Sequence, residues 1–368
     1  MRPRLNALTT LRFFAALHVV LFHMRVVGIL PGGPWWYQNF AGIGFVGVNF
    51  FFVLSGFILV YTYDGPPLNA PRFWRARFAR IYPAYALSLI VAAPFFFFAV
   101  RNLDLPFFAW SKAHFIPACM LTLALLQSWV PQAALTWNSV CWSLSVEAFF
   151  YFVFPFFLLR SSKLSAKSLL LWLAAFWLIS ISLSSGYIHF HPDGVDKINS
   201  SETNLFWKNV LSFNPLVRLP EFLVGMFAGK LFLKRPGNAK FATPLVCAGL
   251  LGFAAVVLLA PKIPNPTLSA GLLSPAFAAI IYGVARQPKW TSLLAAPFLV
   301  LLGDASYSLY LLHSLVITRV FDSVPHLSSP LRVAISLAAA MAISVAAYRL
   351  VEEPARGFMR PKSRKPVA

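Results

Sequence analysis

Arg12 and His23 stand eleven residues apart inside one apolar stretch. At about 100° per residue this is three turns plus roughly 20°, so both lie on one helix face about 16 Å apart along the axis. An ionisable group inside such a stretch is costly to bury, which makes it a candidate for function. Imidazole suits proton transfer near neutral pH once a partner fixes its tautomer. Glu147 is the expected partner. It lies about seven residues in from the end of its stretch, and His23 does the same in its own, so the two should meet at one depth. The contact would serve either a general base or a buried polar pair joining two helices. His18 points about 140° away from His23 and reads as a packed or hydrogen-bonded polar residue.

Arg72, Arg75, Arg77 and Arg80 crowd the segment PRFWRARFARIYP. Guanidinium forks grip phosphate bidentately, so the cluster suits a phosphate-rich ligand. It equally suits lipid headgroups and the setting of orientation. Further on, GDASYSLYLLH brings Tyr310 and His313 nearly onto one face, near Asp304. Together with Asn49, Ser55 and Ser145, these two are candidates for one pocket or for links between helices. Gly44, Gly47 and Gly56 permit close helix contact. Of eleven acidic residues, Glu147, Glu221 and Asp304 fall within apolar spans, whereas Glu352 and Glu353, beside Arg349 and Arg356, read as surface ion pairs.

Long apolar helices must hold these groups in place. The 368 residues are 59% hydrophobic and 11% charged, with a mean hydropathy of +0.70. Soluble domains carry roughly 25% charged residues, so a soluble enzyme is excluded. A span needs about 20 mostly apolar residues. Ten stretches qualify: 10–30, 43–63, 83–100, 140–159, 168–185, 213–233, 242–260, 270–286, 303–323 and 331–350. The stretch 116–129 is apolar but short. The expected fold is therefore all-α, a polytopic transmembrane helix bundle of about ten spans with one short re-entrant or interfacial segment. Residues 1–350 form the membrane domain and 351–368 a basic cytoplasmic tail.

The net charge of +20 points to membrane topology rather than to nucleic acid. With ten spans, twenty-one basic residues fall on the side of both termini and nine on the other. The positive-inside rule makes the richer side cytoplasmic. Residues 186–212 then form a polar external loop, and the first span, lacking a small-residue cleavage site, is retained. Cys119, Cys141 and Cys247 are isolated, so neither a disulfide framework nor a metal site is expected.

Seven motifs in order carry a family likeness: LTTLRFFAALHVVLFH, GVNFFFVLSGF, RFARIYP, WSLSVEAFFYFVFP, RLPEFLVGM, GDASYSLYLLH and VEEPA. Through them the chain resembles the acyltransferase-3 family of bacterial integral membrane O-acyltransferases. The resemblance implies a catalytic His23 in an R-x(10)-H motif with Arg12. It also implies an acyl-CoA site at the R-x-x-R pair Arg77 and Arg80, helped by Arg75, and an S-x-E motif at Ser145 and Glu147. Two positions depart from the pattern: Thr9 and Asn49 stand where relatives commonly carry Asp. No extracytoplasmic esterase-like domain is expected.

The expected function is transfer of an acyl group, acetyl first among them, from cytoplasmic acyl-CoA to a hydroxyl of a cell-surface or lipid-linked glycan. His23 is the general base and Glu147 orients it. The setting is the bacterial cytoplasmic membrane, with membrane lipids as surroundings and no permanently bound cofactor. A covalent acyl-enzyme on Ser55 or Ser145 is the variant mechanism. A proton-coupled transporter or flippase is the alternative class, since buried His and Glu suit it too.

Overall fold

The computed structural model describes residues 2–65, 67–199, 202, 204–234 and 239–359. Ten long helices dominate them: α1 (Asn6–Val26), α2 (Val46–Tyr63), α3 (Ala70–Asn102), α4 (Trp142–Arg160), α5 (Ala166–Phe190), α6 (Pro215–Lys234), α7 (Ala242–Leu259), α8 (Ser274–Ala285), α9 (Pro297–Ser323) and α10 (Ser329–Ala347). There is no strand among the described residues. A helix satisfies its backbone polar groups within itself, as hydrocarbon surroundings require. Nine of the helical segments described are long and apolar enough to cross a membrane.

The tenth helix, α6, holds the centre. Arg218, Glu221, Lys230 and Lys234 dilute its apolarity, yet almost every residue from Pro220 to Leu231 is buried. It packs against α2, α4, α5 and α8. Its crossing with α2 needs glycine on both sides. A Cβ on Gly225 would lie 1.9 Å from the Val53 carbonyl oxygen, and one on Gly56 would lie 2.1 Å from that of Phe222. Lipid supplies no hydrophobic force between helices, so backbone contact of this kind is what holds them together. Nearby, Phe150 stacks on Phe222 at 4.7 Å and meets Phe52 edge-on at 5.1 Å.

α3 differs from the expected span at 83–100. It is one continuous helix of 33 residues that includes the whole arginine cluster. The Asn69 side chain caps it by accepting from the Arg72 backbone N–H at 2.9 Å, and Pro71 sits in the first turn. Those four arginines thus occupy the first turns of a membrane helix.

In the stretch 116–129, the helix Phe115–Leu123 has nine residues. At 1.5 Å per residue it rises about 13 Å, too little for a core of about 30 Å. Residues 103–141 fold as short turns over one end of the bundle, and α4 starts beneath them with Val140 and Cys141 already buried. The chain also stays folded past 350. A π-helical turn, Tyr348–Glu352, leads into α11 (Glu353–Met359), which packs on α3. Of the basic residues used for topology, Arg235, Arg360, Lys362, Arg364 and Lys365 lie outside the described residues.

Candidate active site

A cavity of about 710 Å³ lies between α1, α2, α3, α4, α9 and α11. It reaches the surface among Arg2, Arg4 and Gly357, which are exposed. Arg12, Ser55, Arg77, Arg80, Glu147 and Tyr310 from the sequence reading all line it. Arg77 and Arg80 are three residues apart on α3 and so share a face, which turns both toward Arg12.

Charge in the cavity is unevenly matched. Its wall carries six arginines and three carboxylates. Arg4 pairs with Asp304 at the mouth. Arg77 donates from Nη2 to the Tyr63 hydroxyl at 2.9 Å, and its buried Nε has no partner. Arg356 donates to Glu352, and its buried Nε also has none. Arg12 and Arg80 make no ion pair and no hydrogen bond among the described residues, although Glu147 and Glu352 act on both electrostatically. Buried cations are normally paired, so donors left open in a cavity make a site for an anion.

Glu147 is not the partner of His23. Its Oε1 accepts from the Tyr151 hydroxyl and, at 3.4 Å, from Ser55 Oγ. The expected contact fails because counting from helix ends assumed level ends. α1 ends at Val26, which leaves His23 three residues from its end rather than seven, while Glu147 lines the same cavity as Arg12. His23 is absent from the cavity wall. It meets His313 instead, with Nδ1 to Nε2 at 3.2 Å and ring centroids 4.9 Å apart. α1 and α9 pack along their lengths, which makes this pairing possible. A Cβ on Gly303 of α9 would lie 2.1 Å from the Thr9 carbonyl oxygen of α1. Between the cavity and the two histidines stand Phe51 and Tyr310, both in the wall, with ring centroids 6.1 Å apart.

Other candidates do not reach the cavity, and helix geometry gives the reason. Ser145 is two residues, about 200°, from Glu147; it is buried and accepts from the Ser128 backbone N–H at 3.3 Å. Arg75 is likewise about 200° from Arg77 and is exposed, outside the cavity. Asn49 lies about 240° around α2 from Ser55. It donates to the carbonyls of Leu268 and Ser269 and accepts from Arg218 Nη2 at 3.0 Å. His313 lies one turn beyond Tyr310, past the end of the cavity. His18 stacks on Phe40 at 4.2 Å and bonds its carbonyl, as a packed polar residue should.

Glu352 corrects a further expectation. It is buried rather than at the surface, bonded to Ser308 Oγ and to Arg356. The π-turn carries it inward. Arg356, Tyr151 and Tyr307 join the cavity without having been singled out as site residues. The signal available for the first was its place beside the VEEPA motif.

The comparisons with known proteins agree with this architecture. The family model described as an acyltransferase domain, that of the acyltransferase-3 family, matches residues 5–349. The chain belongs to this family and is a polytopic membrane acyltransferase. It is 30% identical over 330 residues to the acyltransferase MdmB of Streptomyces mycarofaciens, covering 85% of this chain and 79% of that protein. The exopolysaccharide production protein ExoZ of Rhizobium meliloti is 27% identical, with 85% of this chain and 89% of ExoZ covered. The O-acetyltransferase OatA of Staphylococcus aureus is 25% identical across 96% of this chain, which spans 58% of OatA. No solved structure gives a significant match.

Proposed function

We propose that the protein transfers an acyl group, most simply acetyl, from acyl-CoA to a hydroxyl of a cell-surface or lipid-linked glycan. The open guanidinium groups of Arg12 and Arg80, beside the unpartnered Nε atoms of Arg77 and Arg356, carry this reading. The phosphates of coenzyme A are the anion that suits them, since Arg forks match phosphate oxygens. The names of OatA and ExoZ, an O-acetyltransferase and an exopolysaccharide production protein, support the acetyl group and the glycan.

The donor enters at the arginine-rich end, which the excess of basic residues assigns to the cytoplasm of a bacterial cell. Its nucleotide stays among the arginines while the pantetheine arm extends toward His23, about 16 Å from Arg12 along α1. Phe51 and Tyr310 must turn aside to let the thioester pass. His23 takes the proton of the acceptor hydroxyl as its oxygen attacks the thioester carbonyl. The carbon–sulfur bond then breaks, and the thiolate of coenzyme A takes that proton from the imidazolium. Removing the base should cost roughly 10²–10⁴-fold. Glu147, held by Tyr151 and Ser55, balances charge in the donor cavity and does not orient the base.

The test is glycan O-acetylation in cells carrying wild type or His23→Ala at matched membrane abundance, together with acetyl-CoA binding by the purified proteins. Lost acetylation with retained acetyl-CoA binding is expected. Retained acetylation would remove His23 from the chemistry, and absence of acetyl-CoA binding by the wild type would sink the donor assignment.

A further inference from the structure

His313 belongs to no step above, yet it is the residue His23 touches. Its Nδ1 lies 2.8 Å from the Tyr310 carbonyl oxygen and 3.2 Å from that of Leu309. Carbonyls only accept, so Nδ1 carries the hydrogen of a neutral ring. Nε2 of His313 is then bare and can only accept. It faces Nδ1 of His23 at 3.2 Å, and that same Nδ1 lies 2.9 Å from the Val19 carbonyl. With two acceptors before it, Nδ1 of His23 must carry its hydrogen, which leaves Nε2 of His23 as the basic nitrogen. The tautomers of both rings follow from these four distances.

We infer that His313 is the positioning residue for His23, holding its basic Nε2 toward the substrate through the Nδ1–H···Nε2 bond between the rings. The inference rests on the reading of His23 as the base. The Val19 carbonyl, on the same helix as His23, shares the Nδ1 hydrogen at 2.9 Å, and His313 is the acceptor that ties the ring to a second helix. Phe22 flanks the ring edge-on at 5.1 Å, limiting its swing but bonding to nothing. When His23 becomes cationic during the reaction, Nδ1–H donates more strongly, and the bare nitrogen of His313 is placed to receive it. A carboxylate often fills this role; here a neutral imidazole does.

Two measurements test the assignment. The first uses the wild-type protein with ¹⁵N-labelled histidine in lipid. A coupling across an N–H···N hydrogen bond between a protonated Nδ1 and a bare Nε2 is expected, and its absence overturns the inference. The second compares turnover of acetyl-CoA by wild type, His313→Asn and His313→Gln. Asn keeps a donor for the Tyr310 carbonyl but stops short of His23, whereas the Gln amide oxygen reaches the place of Nε2. Loss of such an orienting partner typically costs 10–100-fold. We expect that drop in kcat for Asn at an unchanged KM for acetyl-CoA, and recovery to within about tenfold of wild type for Gln. Wild-type kcat in His313→Asn overturns the assignment even if His23→Ala is inactive. Full activity in His23→Ala would instead remove the reading on which it rests.

Discussion

Two groups of arginines within the bundle use the same residue types to opposite ends. On α6, Arg218 is only 2% exposed and its neighbours enclose it. Nη1 lies 3.1 Å from Glu221 Oε1 and donates to the Ser269 carbonyl, while Nη2 donates to Asn49 and to Glu221 Oε2. The rings of Phe52 and Trp142 flank the guanidinium. Only Nε lacks a partner there. Arg12 and Arg80, by contrast, face a hollow and make no ion pair or hydrogen bond among the described residues, with Glu147 and Glu352 acting on them only at longer range. A buried cation whose charge is met by a carboxylate at 3.1 Å tells of folding. One left open beside empty space tells of a ligand.

The contrast breaks most visibly if Arg218 is removed. Arg218→Ala strands Glu221 as an unpaired buried group and should cost about 3–5 kcal/mol, read as a fall in the thermal transition in detergent. Arg218→Met combined with Glu221→Leu should recover most of it, since a matched apolar pair leaves no stranded charge. In the cavity the order reverses. Arg80→Ala should move the transition far less than Arg218→Ala does, because the repulsion it relieves on Arg12 and Arg356 offsets the attraction it gives up toward Glu147 and Glu352. It should raise KM for acyl-CoA by about 10- to 100-fold, the loss of a hydrogen bond to a charged group.

Salt gives a finer discrimination. Raising it from about 0.05 to 0.5 M shortens the screening length severalfold. KM for acyl-CoA should rise a few-fold, with little movement of the thermal transition, as the Arg218 cluster is shielded from ions. The smallest effect belongs to Lys112, whose hydrogen bond and charge hold the exposed Asp104 carboxyl below its usual range. Such an exposed pair contributes little, so Lys112→Ala should leave the transition in place between about pH 5 and 8. Movement comparable to that of Arg218→Ala would undo the distinction.

The helices were legible because lipid tolerates only long apolar runs, and even α6 showed despite its charges. Arg12, Arg77 and Arg80 were legible for a related reason: spacings of three and of nearly whole turns fix a shared face within one helix. Relations between helices were not. His23 and His313 are 290 positions apart, and no spacing rule links them. Glu147 was matched with His23 because helix ends were read from apolar stretches, and α1 ends at Val26, four residues before its stretch does. Ser145, Asn49 and Arg75 have suitable chemistry, but which side of a helix faces a cavity is decided by its neighbours. Glu352 looked like a surface acid because a π-turn, which rotates a helix partway round, leaves no mark in composition.

The ring pair of Phe51 and Tyr310 has an electrical consequence. A bore running from the arginine cavity to the histidines would be a leak for protons and small ions. At about 2.3 kcal/mol for each charge crossing 100 mV, such a leak would drain the cell's membrane energy continuously. The rings of Phe51 and Tyr310, 6.1 Å apart in the wall of a cavity that does not include His23, are where such a bore would have to be kept shut.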